Sequence, residues 1–386
     1  LPAELEFAGT ERFRIERRLG AGGMGIVYQA FDCERKSLVA LKALRNLDEH
    51  SLYRFKREFR ALADLTHPNL VRLGELFCQD GQWFFTMDLV EGTGFLEYVC
   101  HGRRVPLHSL PSDADTFVTP STLSTPQRRT RYDERRLRHG LAQLAQGVAA
   151  LHRGGKIHRD IKPSNILVAR EGRVVLLDFG LVMDAARGGE TSEGHIVGTA
   201  AYMAPEQATG HTVGPAADWY SVGVVLYECI SGHPPFEGPS IDVLVQKQRE
   251  EAPKLQSGPP DLVKLCMELL ARDPAARPQA SDIVARLGGS IAVPAAEPAT
   301  QQMPFVGRAK ELKELRAAFD HSARGQAVTL LVHGESGVGK SALVRHFVDE
   351  IANSPGTVVL MGRCYEREAV PFKAFDGIID LLSRHL

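Results

Sequence analysis

Two glycine-rich strings of different design stand at opposite ends of this 386-residue chain, "LGAGGMGIVY" over Leu19–Tyr28 and "HGESGVGKSALV" over His333–Val344. Each carries glycines that let backbone N–H groups close around phosphate oxygens, and one nucleotide is held by one such loop. The first runs on into "IVYQAFD", a β-branched and aromatic stretch that reads as a strand, so the loop is a flap between two strands. The second lies between an apolar strand, "AVTLLVHG", and a helical pattern, "ALVRHFVDEI". One core cannot present both, and the length agrees with two units, each with its own phosphate loop.

Composition removes several alternatives. An apolar fraction of 44% and a charged fraction of 24% are ordinary for a globular protein. A formal net charge of −1 gives no general attraction to nucleic acid or to a membrane surface. Cys33, Cys78, Cys100, Cys229, Cys266 and Cys364 form no Cys-x-x-Cys pair, so zinc is not expected and reduced thiols are. No apolar run approaches a membrane span and no secretory signal opens the chain, which points to a cytoplasmic protein. The chain starts on Leu1, and its last motif breaks off early, which reads as a piece of a longer product.

Residues 1–12 read as an N-terminal extension, and from about Glu11 to Leu47 the pattern alternates as strands do. "YRFKREFRALADL" places Phe55, Phe59, Leu62 and Leu65 at helical spacing. Residues 103–131, containing "TFVTPSTLSTPQRRTR", lack an apolar period and read as a flexible, arginine-rich insert. A helix over Glu134–Leu151 then carries Leu137, Leu141, Leu144 and Val148 in one stripe, and from Pro215 the pattern is mostly helical. The Gly/Ala/Pro-rich stretch 288–303 reads as a linker. After it come a helix ("AKELKELRAAFDHSA"), the second loop between its strand and helix, and a further strand ("GTVVLMGRC").

Gly20, Gly22 and Gly25 make G-x-G-x-x-G, a weak signal by itself. Lys42 follows in "VALK", and an ammonium in an apolar strand needs anions, which Glu58 and the phosphates of ATP would provide. "IHRDIKPSNIL" packs Asp160, Lys162 and Asn165 into one short loop between apolar stretches. "VVLLDFGLV" puts Asp178 directly after a buried run, where a carboxylate wants a metal. These motifs, with "GTAAYMAPE" and a late Arg-Pro pair, resemble a eukaryotic-like Ser/Thr protein kinase from Phe13 to Leu287, and "HPNLVRL", "MAPEQ" and "SGHPPF" most resemble its bacterial members.

The resemblance implies an α+β bilobal protein kinase fold over 13–287, with ATP and Mg²⁺ as cofactors and a protein carrying a Ser/Thr acceptor as partner. It implies that Gly20, Gly22, Gly25, Val27, Ala40, Met87, Asp88 and Val90 form the nucleotide pocket, with Met87 at its back and Asp88 and Val90 offering backbone groups to adenine. Lys42 would hold the α/β-phosphates and pair with Glu58, Asp178 and Asn165 would hold Mg²⁺, Asp160 would accept the hydroxyl proton, and Lys162 would offset γ-phosphate charge. Thr199 would tie the base to the peptide-binding loop, and Leu62, Leu73, His158 and Phe179 would form an apolar spine. Asp218 would anchor the catalytic loop, and Glu206 would pair with Arg277. Arg159 beside Asp160 can meet a phosphate, so autophosphorylation is expected at Thr191 or Ser192.

"GESGVGKS", Gly334 to Ser341, is a P-loop in the confirming strand–loop–helix context. Gly334 and Gly339 would shape the phosphate cradle, Lys340 would reach the β/γ-phosphates, and Ser341 would ligate Mg²⁺. "PFVGRAKELKEL" resembles the opening of AAA-type and related signal-transduction ATPases. Residues 304–386 are therefore expected to be the first part of an α/β P-loop NTPase domain, truncated before its metal-carboxylate strand, because "GTVVLMGRC" ends without an acid and "FKAFDGIIDLL", with Asp380, has helical spacing. An active kinase regulated through the fused ATPase region is the leading reading. An NTP-driven sensor or assembly switch with the kinase as one output is the first alternative. A pseudokinase scaffold is opposed by the presence of Lys42, Asp160, Asn165 and Asp178.

Overall fold

The computed structural model describes residues 7–100, 132–178, 200–288 and 308–361, apart from 23–24, 46–48, 64, 209–212, 335–338, 353 and 355, together with 368–369, 378–379 and 382. The chain divides into two compact units, Leu1–Ile291 with Tyr365–Pro371, and Ala292–Cys364 with Phe372–Leu386. The insert, the linker and the "FKAFDGIIDLL" helix lie wholly or mostly outside the described residues.

The first unit opens with an antiparallel meander of β1 (Phe13–Gly22), β2 (Gly25–Asp32) and β3 (Ser37–Leu44). Its alternating pattern has the expected consequence, that successive side chains face opposite ways. Leu41 and Ala43 join Phe13, Tyr28, Ala30 and Phe84 on one face, while Ala40 and Leu44 join the main core on the other. Lys42 stands between those last two, on their face. Helix α1 (Glu49–Ala63) then packs Phe55 and Phe59 against Phe85, with ring centroids 5.9 and 5.4 Å from it. Strands β4 (Leu73–Gln79) and β5 (Gln82–Met87) complete a sheet in the order β1-β2-β3-β5-β4, to which the two-residue β9 (Glu368–Ala369) adds in parallel beside β4.

A helical body follows. Short elements β6 (Gly92–Gly94) and α2 (Phe95–Val99) lead to α3 (Glu134–Arg153), whose first turn is capped by the Asp133 carboxylate on the Arg136 N–H. The expected stripe of Leu137, Leu141, Leu144 and Val148 is fully buried. Strands β7 (Ile166–Ala169) and β8 (Val174–Leu176) form a small sheet with β6 and bracket the polar loops. Helix α4 (Ala216–Ser231) is apolar almost all round and lies buried along nearly its whole length, as such a helix must. Helices α5 (Ser240–Arg249), α6 (Pro260–Leu269) and α7 (Ala280–Arg286) surround it.

In the second unit, α8 (Ala309–Ala323) and α9 (Lys340–Ile351) pack Leu312, Leu315 and Leu343 together with Phe347. The two strands expected there are not found. Residues 327–334 and 357–361 are without ladder partners, and Val328, Leu330, Leu331 and Val332 are exposed. A buried parallel strand is held by neighbours on both sides, and among the described residues this unit contains no ladder at all. Among the described residues, no helix is long and apolar enough to cross a membrane, and five cysteines are free thiols.

Candidate active site

The glycine flap sits where the alternation of β1 and β2 ends, with Gly22 opposite Gly25. Gly25 has φ +149°, and a Cβ there would lie 1.9 Å from the Ala43 carbonyl oxygen, so only glycine fits against β3. Val27 faces Lys42 and Ala40 faces Met87 in register. Met87 is buried at the end of β5, and Val27 and Val90 pack partly buried against the same core. The Asp88 N–H donates to the Arg72 carbonyl at 3.0 Å, which leaves the Asp88 carbonyl as its backbone group for a ligand.

The loop between α3 and β7 is fixed from below. Asp218, wholly buried on α4, accepts from the backbone N–H groups of His158 (2.8 Å) and Arg159 (2.7 Å), and meets the His152 Nε2 at 2.7 Å. Arg159 is held at φ +65°, a left-handed conformation that costs a non-glycine residue on the order of 1–3 kcal/mol and persists only where surroundings over-determine it. The two bonds to Asp218 are that constraint. They turn Asp160 into the cleft.

There Asp160 Oδ2 accepts from Asn165 Nδ2 and from Lys162 Nζ, each at 2.9 Å. Asn165 Nδ2 also donates to the Asp160 carbonyl at 2.7 Å. The other carboxylate oxygen, Oδ1, is buried and has no hydrogen-bond partner among the described residues, which is costly unless something comes to it. Asp178, itself at φ +46°, pairs through Oδ1 with Lys42 Nζ at 2.6 Å. Burial raises the Asp178 pKa, but the Lys42 ammonium, with His158 and Lys162 beyond it, outweighs that and holds the carboxyl below its ordinary value.

Among the described residues, no three His, Cys, Asp or Glu gather as a metal cage. The donor set fits Mg²⁺ nonetheless. Asn165 spends its Nδ2 on Asp160 and so leaves an Oδ1 that could face a cation, and Asp178 would add a carboxylate kept ionised, oxygen donors of the kind that Mg²⁺ prefers.

One expected pairing is corrected. Glu58 does not meet Lys42. It pairs with Lys156 Nζ at 2.8 Å, while Lys42 is taken by Asp178. A half-buried carboxylate on α1 finds the nearest cation, and Lys156 sits two residues before His158 with its ammonium toward α1. Leu62, Leu73 and His158 are buried as expected, whereas Phe179, Thr199, Thr191 and Ser192 lie outside the described residues. Glu206 and Arg277 form a two-pronged pair at 2.6 and 2.9 Å, with the guanidinium 5.0 Å from the Tyr220 ring centroid. Lys156 and Lys247 fall in no motif, and Gln207 lies in the quoted "MAPEQ" without having been given a role. For Lys247 a signal exists, since it falls four residues after the buried Val243 and so on the inward stripe of α5.

In the second unit Gly339 caps α9 at φ +87°, and Lys340 Nζ folds back onto the Gly334 carbonyl at 2.9 Å. Ser341 follows in the first turn of α9, while residues 335–338 of the loop lie outside the described residues.

Comparison with known proteins finds two families along the chain, the second of them running through Tyr365–Pro371, which the structure places in the first unit. The protein kinase domain family matches residues 13–286 and the AAA ATPase domain family matches residues 304–386. Serine/threonine-protein kinase PknL of Mycobacterium tuberculosis is 33% identical over 274 residues, covering 69% of this chain and 62% of that protein. Serine/threonine-protein kinase PknA of the same organism is 33% identical over 314 residues, 77% of this chain and 65% of the relative. Serine/threonine-protein kinase pkn2 of Myxococcus xanthus is 34% identical over 287 residues, 70% of this chain and 31% of the relative. The chain thus spans less than two thirds of the length of each of these relatives.

Proposed function

This chain belongs to the protein kinase family, and on that premise we propose that it transfers the γ-phosphoryl group of ATP to Ser/Thr hydroxyls of protein substrates. The observation that carries the reading is the unpartnered Asp160 Oδ1, flanked by Lys162 and Asn165 in one cleft with Lys42 and Asp178. The acceptor hydroxyl gives its proton to Asp160 Oδ1 as its oxygen bonds to the γ-phosphorus, and the bond to the β-phosphate oxygen breaks to release ADP. Lys162 offsets charge on the transferring group, and Lys42 holds the α/β-phosphates. Mg²⁺ on Asp178 and Asn165 would neutralise the phosphates between which the bond breaks. Gly20, Gly22, Gly25, Val27, Ala40, Met87, Asp88 and Val90 enclose the nucleotide. The test is incubation with Mg²⁺, labelled ATP and myelin basic protein, followed by acid hydrolysis. Label in phosphoserine and phosphothreonine supports the reading, and label only in phosphotyrosine, or none, overturns it.

Residues 13–287 are the proposed kinase domain and 304–386 the ATPase segment, with Gly334, Gly339, Lys340 and Ser341 as its phosphate and Mg²⁺ residues. Regulation of the kinase through that segment, and a cytoplasmic setting, belong to the same reading.

Two regulatory predictions arise here. The Lys156–Glu58 pair holds Glu58 away from Lys42, so Lys156→Met frees it for the phosphate-binding lysine. A partly exposed ion pair is worth at most about 1 kcal/mol, so the initial rate at low ATP is expected to rise about two- to fivefold. A lower rate would show that Lys156 supports the active arrangement. The double variant Thr191→Ala/Ser192→Ala is expected to lose autophosphorylation and to slow transfer to myelin basic protein, because no phosphate forms to meet Arg159. An unchanged rate removes that switch.

A further inference from the structure

Residues 200–204 run without ladder or helix before a single tight turn at Pro205–Ala208. A segment of this kind must find partners for its backbone carbonyls elsewhere. Side chains supply them, one carbonyl after another. Lys247 Nζ on α5 donates to the carbonyls of Ala200 (2.9 Å), Ala201 (2.6 Å) and Met203 (2.8 Å). The Ser221 hydroxyl on α4 donates to Tyr202 at 2.8 Å, and the Gln248 amide on α5 donates to Pro205.

Lys247 is fully buried, and its ammonium lies 5.3 Å from the Tyr220 ring centroid. All three of its N–H donors are used, and no carboxylate among the described residues pairs with it. Burial lowers its pKa to about 7, since the ammonium loses water and no carboxylate among the described residues offsets that loss. An apolar side chain of similar length would fill the space without that cost. The three carbonyls are what the charge is for.

The same segment is tied to the catalytic loop. Gln207 Nε2 donates to the Arg159 carbonyl at 3.0 Å, one residue before Asp160, while Gln207 Oε1 accepts from the Ala204 N–H at 2.9 Å. Gln207 thereby holds residues 204–207 beside the catalytic loop, one residue from the carboxylate that would receive an acceptor hydroxyl.

We propose that Lys247 is a positioning residue for the acceptor peptide: its ammonium gathers the carbonyls of Ala200, Ala201 and Met203 into a fixed shelf that Gln207 sets in register with Asp160. The proposal rests on the kinase reading above. It assigns α5, which touches neither ATP nor Asp160 in this account, a part in substrate recognition.

Steady-state kinetics with myelin basic protein and ATP varied separately test it. Wild-type chain that phosphorylates no Ser or Thr sinks the kinase reading itself, before any variant is compared. With wild type active, Lys247→Met is expected to raise the KM for myelin basic protein about tenfold while kcat and the KM for ATP stay within about twofold. An unchanged protein-substrate KM overturns the proposal. So does a fall in kcat together with a rise in the KM for ATP, which would mark Lys247 as a general support of the fold. Should Lys247→Met fail to give a cooperative melt, Gln248→Ala decides. It removes the donor to the Pro205 carbonyl from an exposed position and is expected to raise the same KM about threefold, the ratio set by a fraction of one hydrogen bond. No rise there overturns the proposal.

Discussion

Replacing Asp178 with Ala is expected to abolish Mg²⁺-dependent phosphoryl transfer, and Asp160→Asn is expected to slow kcat by on the order of 10²–10⁴-fold, the scale of a positioned base. The two losses have different causes. Asp178 is a carboxylate that the Lys42 ammonium keeps ionised at the cleft, so its removal takes away the proposed metal ligand and the ion-pair partner of Lys42. At position 160, Oδ2 faces two donors, Asn165 Nδ2 and Lys162 Nζ, while Oδ1 stands open. An asparagine there would turn its oxygen to the two donors and its NH₂ to the open side. The acceptor hydroxyl would meet a donor where it needs an acceptor, though the loop geometry held by Asp218 would persist. Single-turnover assays with a nucleotide-binding control separate the cases. The KM for ATP should stay near wild type for Asp160→Asn, and near-wild-type turnover in either variant would remove the role given to that residue.

The distribution of what could be read from the sequence follows from the kind of constraint acting at each place. Asp160, Lys162, Asn165 and Asp178 stood out in the sequence as polar residues in short loops between apolar stretches, and the fold joins Asp160 to Lys162 and Asn165 and pairs Asp178 with Lys42. The helices α1 and α3 were legible from apolar spacing, and α4 only as part of a mostly helical stretch from Pro215. The partner of Lys42 was not. A lysine with four rotatable bonds can reach carboxylates on two elements, and the choice between Glu58 and Asp178 depends on where α1 lies and on Lys156, which no local pattern reports. Lys247 could be placed on the inward stripe of α5, but its partners could not be read for a related reason. In "VLVQKQRE" it reads as one polar residue among several, and its importance arises only when residues 200–203, far back in the chain, present three carbonyls to it. Apolar runs misled in the second unit, since "AVTLLVHG" has the composition of a buried strand but gains no ladder. Composition sets strand potential, and neighbours realise it.

That unpaired run bears on why one chain has two phosphate loops, and it sets the second large effect. Lys42→Ala is expected to lower transfer to protein by on the order of 10²–10³-fold, the usual scale for losing one preorganised charge at the phosphates, whereas Lys340→Ala should leave transfer intact. A P-loop works when a paired strand aims the loop and a helix N-terminus meets the phosphates. Here α9 is present and Gly339 caps it, but the run before the loop is exposed, with Leu331 86% accessible, and the core beneath comprises Leu312, Leu315, Leu343 and Phe347. Lys340 is turned onto the Gly334 carbonyl of its own loop. The second loop should therefore bind nucleotide weakly and hydrolyse almost none, so the kinase cleft is the one working catalytic site expected of this chain. The deciding measurement is ATP hydrolysis by the Lys42→Ala chain without protein substrate. Background turnover is the expected result. Substantial turnover that disappears when Lys340→Ala is added would show that the second loop is a complete site and that the exposed run before it finds its ladder in solution.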